Sequence, residues 1–202
     1  TGGLPTIDPD ILTSGDGTNS TGFPSDFPQI TDAGGSGSGT TLSGFGGDTS
    51  KDQNGNRAAV SKNPVILLHG NGGNANHTQW GWAQTKAMLK AVGYNDSEIW
   101  AVSYLGASNG SASVSDPHRN NVNDVRNFID AVRTYLNVQK VDIVGHSLGC
   151  GLARSYMLGL AKSGTFNNSN HRLDAVGTLV TLAGANYGLG YSSMSEFKTG
   201  SS

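Results

Sequence analysis

Val141-Asp142-Ile143-Val144-Gly145-His146-Ser147-Leu148-Gly149 carries the sharpest structural signal in the chain. A short β-branched run ends at a glycine, a serine follows two residues later, and a second glycine lies just inside a stretch rich in Leu, Ala and Met that reaches Lys162. This reads as a strand (Val141–Val144), a sharp turn and a helix (Leu148–Lys162), with Gly164 expected to stop the helix. In a turn that tight a Cβ at either glycine would collide, and the serine hydroxyl is pushed out at the strand's end.

The same alternation continues on both sides. Pro64–Leu68 has the length and branching of a buried strand and is halted by His69-Gly70. Gln79–Val92 places Trp82, Met88, Leu89 and Val92 at near-helical spacing and closes on Gly93, and Ile99–Leu105 reads as the next strand. Val122, Val125, Ile129, Val132 and Leu136 form the apolar stripe of a helix, and Val176–Ala183 reads as a fourth strand. Strands alternating with helices predict an α/β fold, a mostly parallel sheet with helices on both faces. Reacting groups in such sheets gather at the carboxyl ends of the strands.

The pentapeptide Gly-x-Ser-x-Gly occurs twice, and context separates the copies. Ser108, in Gly106–Gly110, is followed by Ser111-Ala112-Ser113 and Pro117, which make no helix, so it is read as a loop residue. Ser147 has a strand before it and a helix after it and is the candidate nucleophile. An oxyanion formed by its attack needs donors. The Leu148 N–H at the helix N-terminus is one, and the dipole there favours negative charge. The second falls to the glycine-rich turn after Leu68, His69-Gly70-Asn71-Gly72-Gly73-Asn74, with the Asn71 N–H as the choice.

The 202 residues suffice for one domain with a substantial core. Only 14% are charged while glycine alone supplies 30 positions, a polar but weakly charged composition that suits an extracellular protein. A net charge of −2 argues against a nucleic-acid partner held by phosphate contacts. No apolar run is long enough for a transmembrane segment. The single cysteine, Cys150, excludes an intramolecular disulfide and a cysteine-based zinc site; one turn into the helix, it reads as a packed side chain, not a reactive thiol. Residues 1–50 hold six Asp and no Lys or Arg, and all 13 basic residues fall in 51–202. Residues 1–50 are therefore expected to be a Gly/Ser/Thr-rich acidic arm or linker with its few apolar groups docked on the body, and 51–202 the N-terminal portion of the folded domain.

Pro64–Asn74 together with Val141–Gly149 resembles the secreted lipases of the α/β-hydrolase superfamily, and more closely the lipase-like extracellular poly(3-hydroxybutyrate) depolymerases. Gly93–Asp96, Glu98–Trp100, Val102–Leu105 and Thr181–Gly188 extend the likeness, which runs from about residue 44 to 190. The resemblance implies an α/β-hydrolase fold, no cofactor or metal for the chemistry, and hydrolysis of hydrophobic esters through an acyl-enzyme on Ser147. It assigns the oxyanion hole to the N–H groups of Leu148 and Asn71. Tyr187 and Tyr191, beyond the fourth strand, are candidate contacts to a hydrophobic ester or polyester substrate.

A serine needs a base, and the superfamily order is Ser, then Asp or Glu, then His. His69 belongs to the oxyanion loop, where it is expected to order the backbone; His146 is expected to turn away from Ser147; His77 and His118 fall in polar loops. Only His171 follows the serine, and it precedes the fourth strand, as does Asp174, on the amino-end side of the sheet; Glu196 follows that strand but no histidine follows Glu196. The expectation is that acid and histidine lie beyond residue 202, the domain here being incomplete at its C-terminus, on a missing C-terminal segment or a second chain. The rival reading is a non-catalytic α/β-hydrolase-fold module that binds a hydrophobic surface, motivated by the absent triad histidine.

Overall fold

The computed structural model describes residues 21–30, 41–71, 73–76, 81–104, 118–160 and 165–184. Its strands are β1 (Thr21–Gly22), β2 (Ser43–Gly46), β3 (Val65–Leu68), β4 (Ile99–Ser103), β5 (Val141–His146) and β6 (Val176–Leu182). The helices are α1 (Gln53–Ala59), α2 (Ala83–Ala91), α3 (His118–Leu136) and α4 (Leu148–Leu158). They form one six-stranded sheet in the order β1-β2-β4-β3-β5-β6. The four strands expected from the apolar runs pair in parallel, while β2 runs antiparallel to β4.

Two apolar layers sandwich the sheet. On one face Ile66, Leu68, Trp100 and Val102 pack with Val125, Ile129 and Phe128 of α3 and Leu152 and Tyr156 of α4. On the other, Val65, Leu67, Ile99 and Ala101 meet Trp82 and Leu89. Residues β3 and β4 are buried on both sides, as continuous apolar runs in a parallel sheet require. The start of β4 is pinned by Glu98, whose carboxylate accepts from the N–H groups of Ser61 (2.6 Å), Lys62 (2.8 Å) and Asn95 (3.0 Å). Burial alone would raise its pKa, but these hydrogen bonds lower it, so the group stays ionised inside the fold.

Several boundaries differ from expectation. Helix α4 ends at Leu158, not Lys162, because Gly159 adopts the left-handed conformation (φ 82°) and Leu160 peels away to bridge Phe166. Helix α2 begins at Ala83, and β5 continues through Gly145 to His146. Neither β1, β2 nor α1 was signalled by periodicity. Ser43–Gly46, from the stretch low in apolar residues, is a strand of the same sheet.

The residues around Phe27 bind that stretch to the body. Phe27 is buried, with ring centroids 5.0 Å from Trp100, 5.2 Å from Phe23 and 5.3 Å from Tyr135. The Tyr135 hydroxyl donates to Asp26 at 2.7 Å, and the other Asp26 oxygen accepts from the Gln53 N–H at 2.7 Å. An aromatic cluster of this size makes residues 21–30 part of the core. Phe27→Ala is expected to destabilise the protein by about 3–4 kcal/mol in urea denaturation, as loss of a buried Phe ring does; a change under about 1 kcal/mol would show that the segment adds no core.

Candidate active site

Ser147 sits between β5 and α4 with φ 50° and ψ −114°, a conformation that non-glycine residues seldom adopt and that the surrounding structure must hold in place. Its N–H donates to the carbonyl of Leu182 at 3.0 Å, which ties the turn to the end of β6, and its carbonyl accepts from the Cys150 N–H at 3.1 Å. The residue just past β6, Ala183, also has positive φ (49°). Ser147 is partly exposed, whereas Leu148, Gly149 and Cys150 are buried. The buried Cys150 thiol faces the Gly145 carbonyl at 3.1 Å, and burial raises its pKa, which keeps it a thiol.

The two glycines of the pentapeptide have different neighbours. A Cβ on Gly145 would lie 2.8 Å from the Cys150 nitrogen. On Gly149 it would lie 2.2 Å from the Leu68 carbonyl oxygen and 2.7 Å from that of His69. The first turn of α4 is thus pressed against the carboxyl end of β3, a contact that only glycine at 149 permits. The first N–H groups of a helix have no intrahelical acceptor, so that of Leu148, the first residue of α4, has no partner within the helix.

That contact also brings the loop after β3 to the serine. The position a Gly70 Cβ would occupy is 3.0 Å from Ser147 Cβ and 2.8 Å from His146 Nδ1. His146, expected to turn away from the serine, therefore borders the same glycine. His69 is fully buried, and its Nδ1 lies 2.8 Å from the Gly70 carbonyl oxygen. A carbonyl can only accept, so Nδ1 carries the proton. Burial pushes the His69 pKa down to about 4, against the hydrogen bond to Gly70, which raises it, and with a smaller lowering from His146; the ring is neutral near pH 7. The Gly70 oxygen also accepts from the Gly73 N–H at 3.2 Å, and the Ala75 N–H donates to Ser103 Oγ at 2.9 Å, so both limbs of the loop are tied down. In a trans peptide the C=O and N–H point opposite ways. With the Gly70 carbonyl held toward the His69 ring, the Asn71 N–H points to the other side, and Asn71 is exposed.

Ser147, Leu148 and the Gly70–Asn71 peptide thus come together at the carboxyl ends of β3 and β5. Asp174 and His171 do not join them; both are exposed, just before β6 at the amino ends of the strands. His118 opens α3 instead of lying in a loop. Ser108, His77, Tyr187, Tyr191 and Glu196 lie outside the described residues. Among the described residues no group of three or more His, Cys, Asp or Glu side chains could hold a metal ion, and no helix is long and apolar enough to cross a membrane. Tyr104, expected inside the strand Ile99–Leu105 and given no role there, instead follows the end of β4 at Ser103 and stacks on His69 with centroids 3.9 Å apart.

Among solved structures, the chain is similar to the lipase BlEst2 of Bacillus licheniformis in its propeptide form (17% identity, TM-score 0.41), over 63% of this chain and 23% of that one. It is also similar to two structures of acetyl xylan esterase, at 16% identity and TM-score 0.44 over 65% of this chain and 68% of that one, and at 15% and 0.47 over 66% and 68%. The chain therefore spans less than a quarter of the length of the first of these and about two thirds of the others. The family model for lipase (class 2) matches residues 62–199, which include the β3 loop, the serine turn and β6. With an α/β-hydrolase sheet and that match, the chain belongs to the lipase (class 2) family.

Proposed function

We propose that the protein is a secreted serine hydrolase of carboxylic esters that acts through an acyl-enzyme on Ser147. The observation that carries this reading is the meeting of a strained, partly exposed serine with a helix N-terminus and a pinned, glycine-rich loop. Membership of the lipase (class 2) family supports it.

The chemistry follows from those parts. Ser147 Oγ attacks the ester carbonyl carbon as its proton passes to a base, and the carbonyl oxygen takes up negative charge. The N–H groups of Leu148 and Asn71 stabilise that charge, aided by the dipole of α4. Collapse of the tetrahedral intermediate breaks the bond to the alcohol, which leaves with the proton. Water, deprotonated by the same base, then attacks the acyl-serine and releases the acid. The scheme needs a histidine base with an acidic partner, and neither His171 nor Asp174, at the amino ends of the strands, is placed to serve. His69 is not that base: the ring is fully buried and its Nε2, the nitrogen left to accept a proton, has no hydrogen-bond partner, Ser147 Oγ included.

The substrate class is a hydrophobic ester, and the likeness of Pro64–Asn74 and Val141–Gly149 to poly(3-hydroxybutyrate) depolymerases makes a water-insoluble polyester the specific proposal, with Tyr187 and Tyr191 as its contacts. No nucleic acid enters the scheme.

A fluorophosphonate probe is expected to label the protein at Ser147, and Ser147→Ala to abolish labelling and lower turnover by about 10⁴-fold or more with an unchanged circular dichroism spectrum. Undiminished labelling of Ser147→Ala would move the nucleophile elsewhere; no labelling of the unmodified protein would favour the non-catalytic binding module. Turnover of amorphous poly(3-hydroxybutyrate) granules faster than of a tributyrin emulsion is the expected outcome for a polyester substrate, and the reverse order would assign a triacylglycerol lipase.

A further inference from the structure

Tyr104 leaves the end of β4 fully buried, and two contacts join it to His69. The rings are nearly parallel, 7° apart, with centroids 3.9 Å apart. The phenol O–H donates to the His69 backbone carbonyl. One side chain thus fixes both the main chain of His69 and the plane of its imidazole. The imidazole in turn holds the Gly70 carbonyl through Nδ1–H at 2.8 Å.

We propose that Tyr104 is a positioning residue for the oxyanion hole, setting through His69 the direction of the Asn71 N–H. The inference rests on the reading of Asn71 as an oxyanion donor. Three features favour this role over plain core packing. A phenylalanine would fill the same space and stack equally well, so the hydroxyl, desolvated at a cost, is there for its hydrogen bond. Burial raises the Tyr104 pKa well above its usual value, which keeps that hydroxyl a donor throughout the working pH range. The stack and the hydrogen bond act on one residue, and the atom that residue holds, the Gly70 oxygen, belongs to the same rigid peptide as the Asn71 N–H. The neighbouring Ser103 anchors the far limb of the loop at Ala75, so the end of β4 governs the loop from both sides. Tyr104 makes no step of the reaction itself. It removes freedom from a donor that must be in place before charge develops.

Tyr104→Phe tests this by keeping the ring and deleting the hydroxyl. With a soluble nitrophenyl ester, kcat is expected to fall about tenfold with KM within about twofold, because a misdirected donor weakens the transition state and spares the ground state. Affinity for phenylboronic acid, which forms a tetrahedral adduct on the serine, should fall by the same factor. A purely structural tyrosine would lower the melting temperature and leave kcat and boronate affinity unchanged in the folded fraction, and that result overturns the inference. Should Tyr104→Phe fail to fold, His69→Asn and His69→Leu decide the matter: asparagine keeps an N–H donor near the Nδ1 position and is expected to retain more kcat than leucine, and equal losses overturn the relay. Ser147→Ala separates the two levels. Activity surviving in Ser147→Ala overturns the proposed function and this inference together, whereas unchanged kinetics of Tyr104→Phe beside an inactive Ser147→Ala overturn the inference alone.

Discussion

The packing of the first turn of α4 on the carboxyl end of β3 organises everything around Ser147. At Gly149 the helix approaches the Leu68 carbonyl to a distance that admits no Cβ. That approach sets the helix N-terminus, the strained serine and the β3 loop in one place, on strands held in parallel register by Leu68 opposite Gly145. Replacing the glycine would not merely crowd the turn: it would part the two candidate amide donors. The unfavourable backbone of Ser147 costs about 1–3 kcal/mol by itself, and the buried layers beneath it offset that cost.

Charge plays little part in the arrangement. The candidate hole is built of backbone amides, a helix dipole and a neutral imidazole, in a chain with few ionisable groups. Such a site keeps the same donors over a broad pH range above the His69 pKa, and its selectivity for developing negative charge comes from direction, not from a cation. The proposed substrate, a hydrophobic ester, is neutral and makes no demand for a charged pocket.

Most of the central sheet was legible because β3 and β4 are buried on both faces and read as continuous apolar runs, and Val141–Val144 is a short β-branched run closed by a glycine. The serine turn was legible because glycine spacing and a strand–helix context coincide. What escaped has specific causes. Ser43–Gly46 has one large apolar residue, and it is a strand because β4 offers an edge and because Gly46 lies flat on the Trp100 ring, where a Cβ would come within 2.4 Å. Helix α1, Gln53–Ala59, contains a glycine and two asparagines and owes its start to the Asp52 cap. Helix α4 stops short of Lys162 because Gly159, not Gly164, takes the left-handed cap; the choice between the two glycines is made by Leu160 turning to meet Phe166, a tertiary pairing that composition does not reveal. The stack of Tyr104 on His69 joins residues 35 apart, and no local pattern foretells it.

The decisive experiment is a crystal structure of the protein after reaction with a diethyl phosphonate that mimics the tetrahedral intermediate. The phosphonyl oxygen should lie within about 3 Å of both the Leu148 and Asn71 nitrogens, with phosphorus bonded to Ser147 Oγ. Phosphorus on another residue, or an oxygen turned to solvent with neither amide in hydrogen-bonding range, would contradict the account.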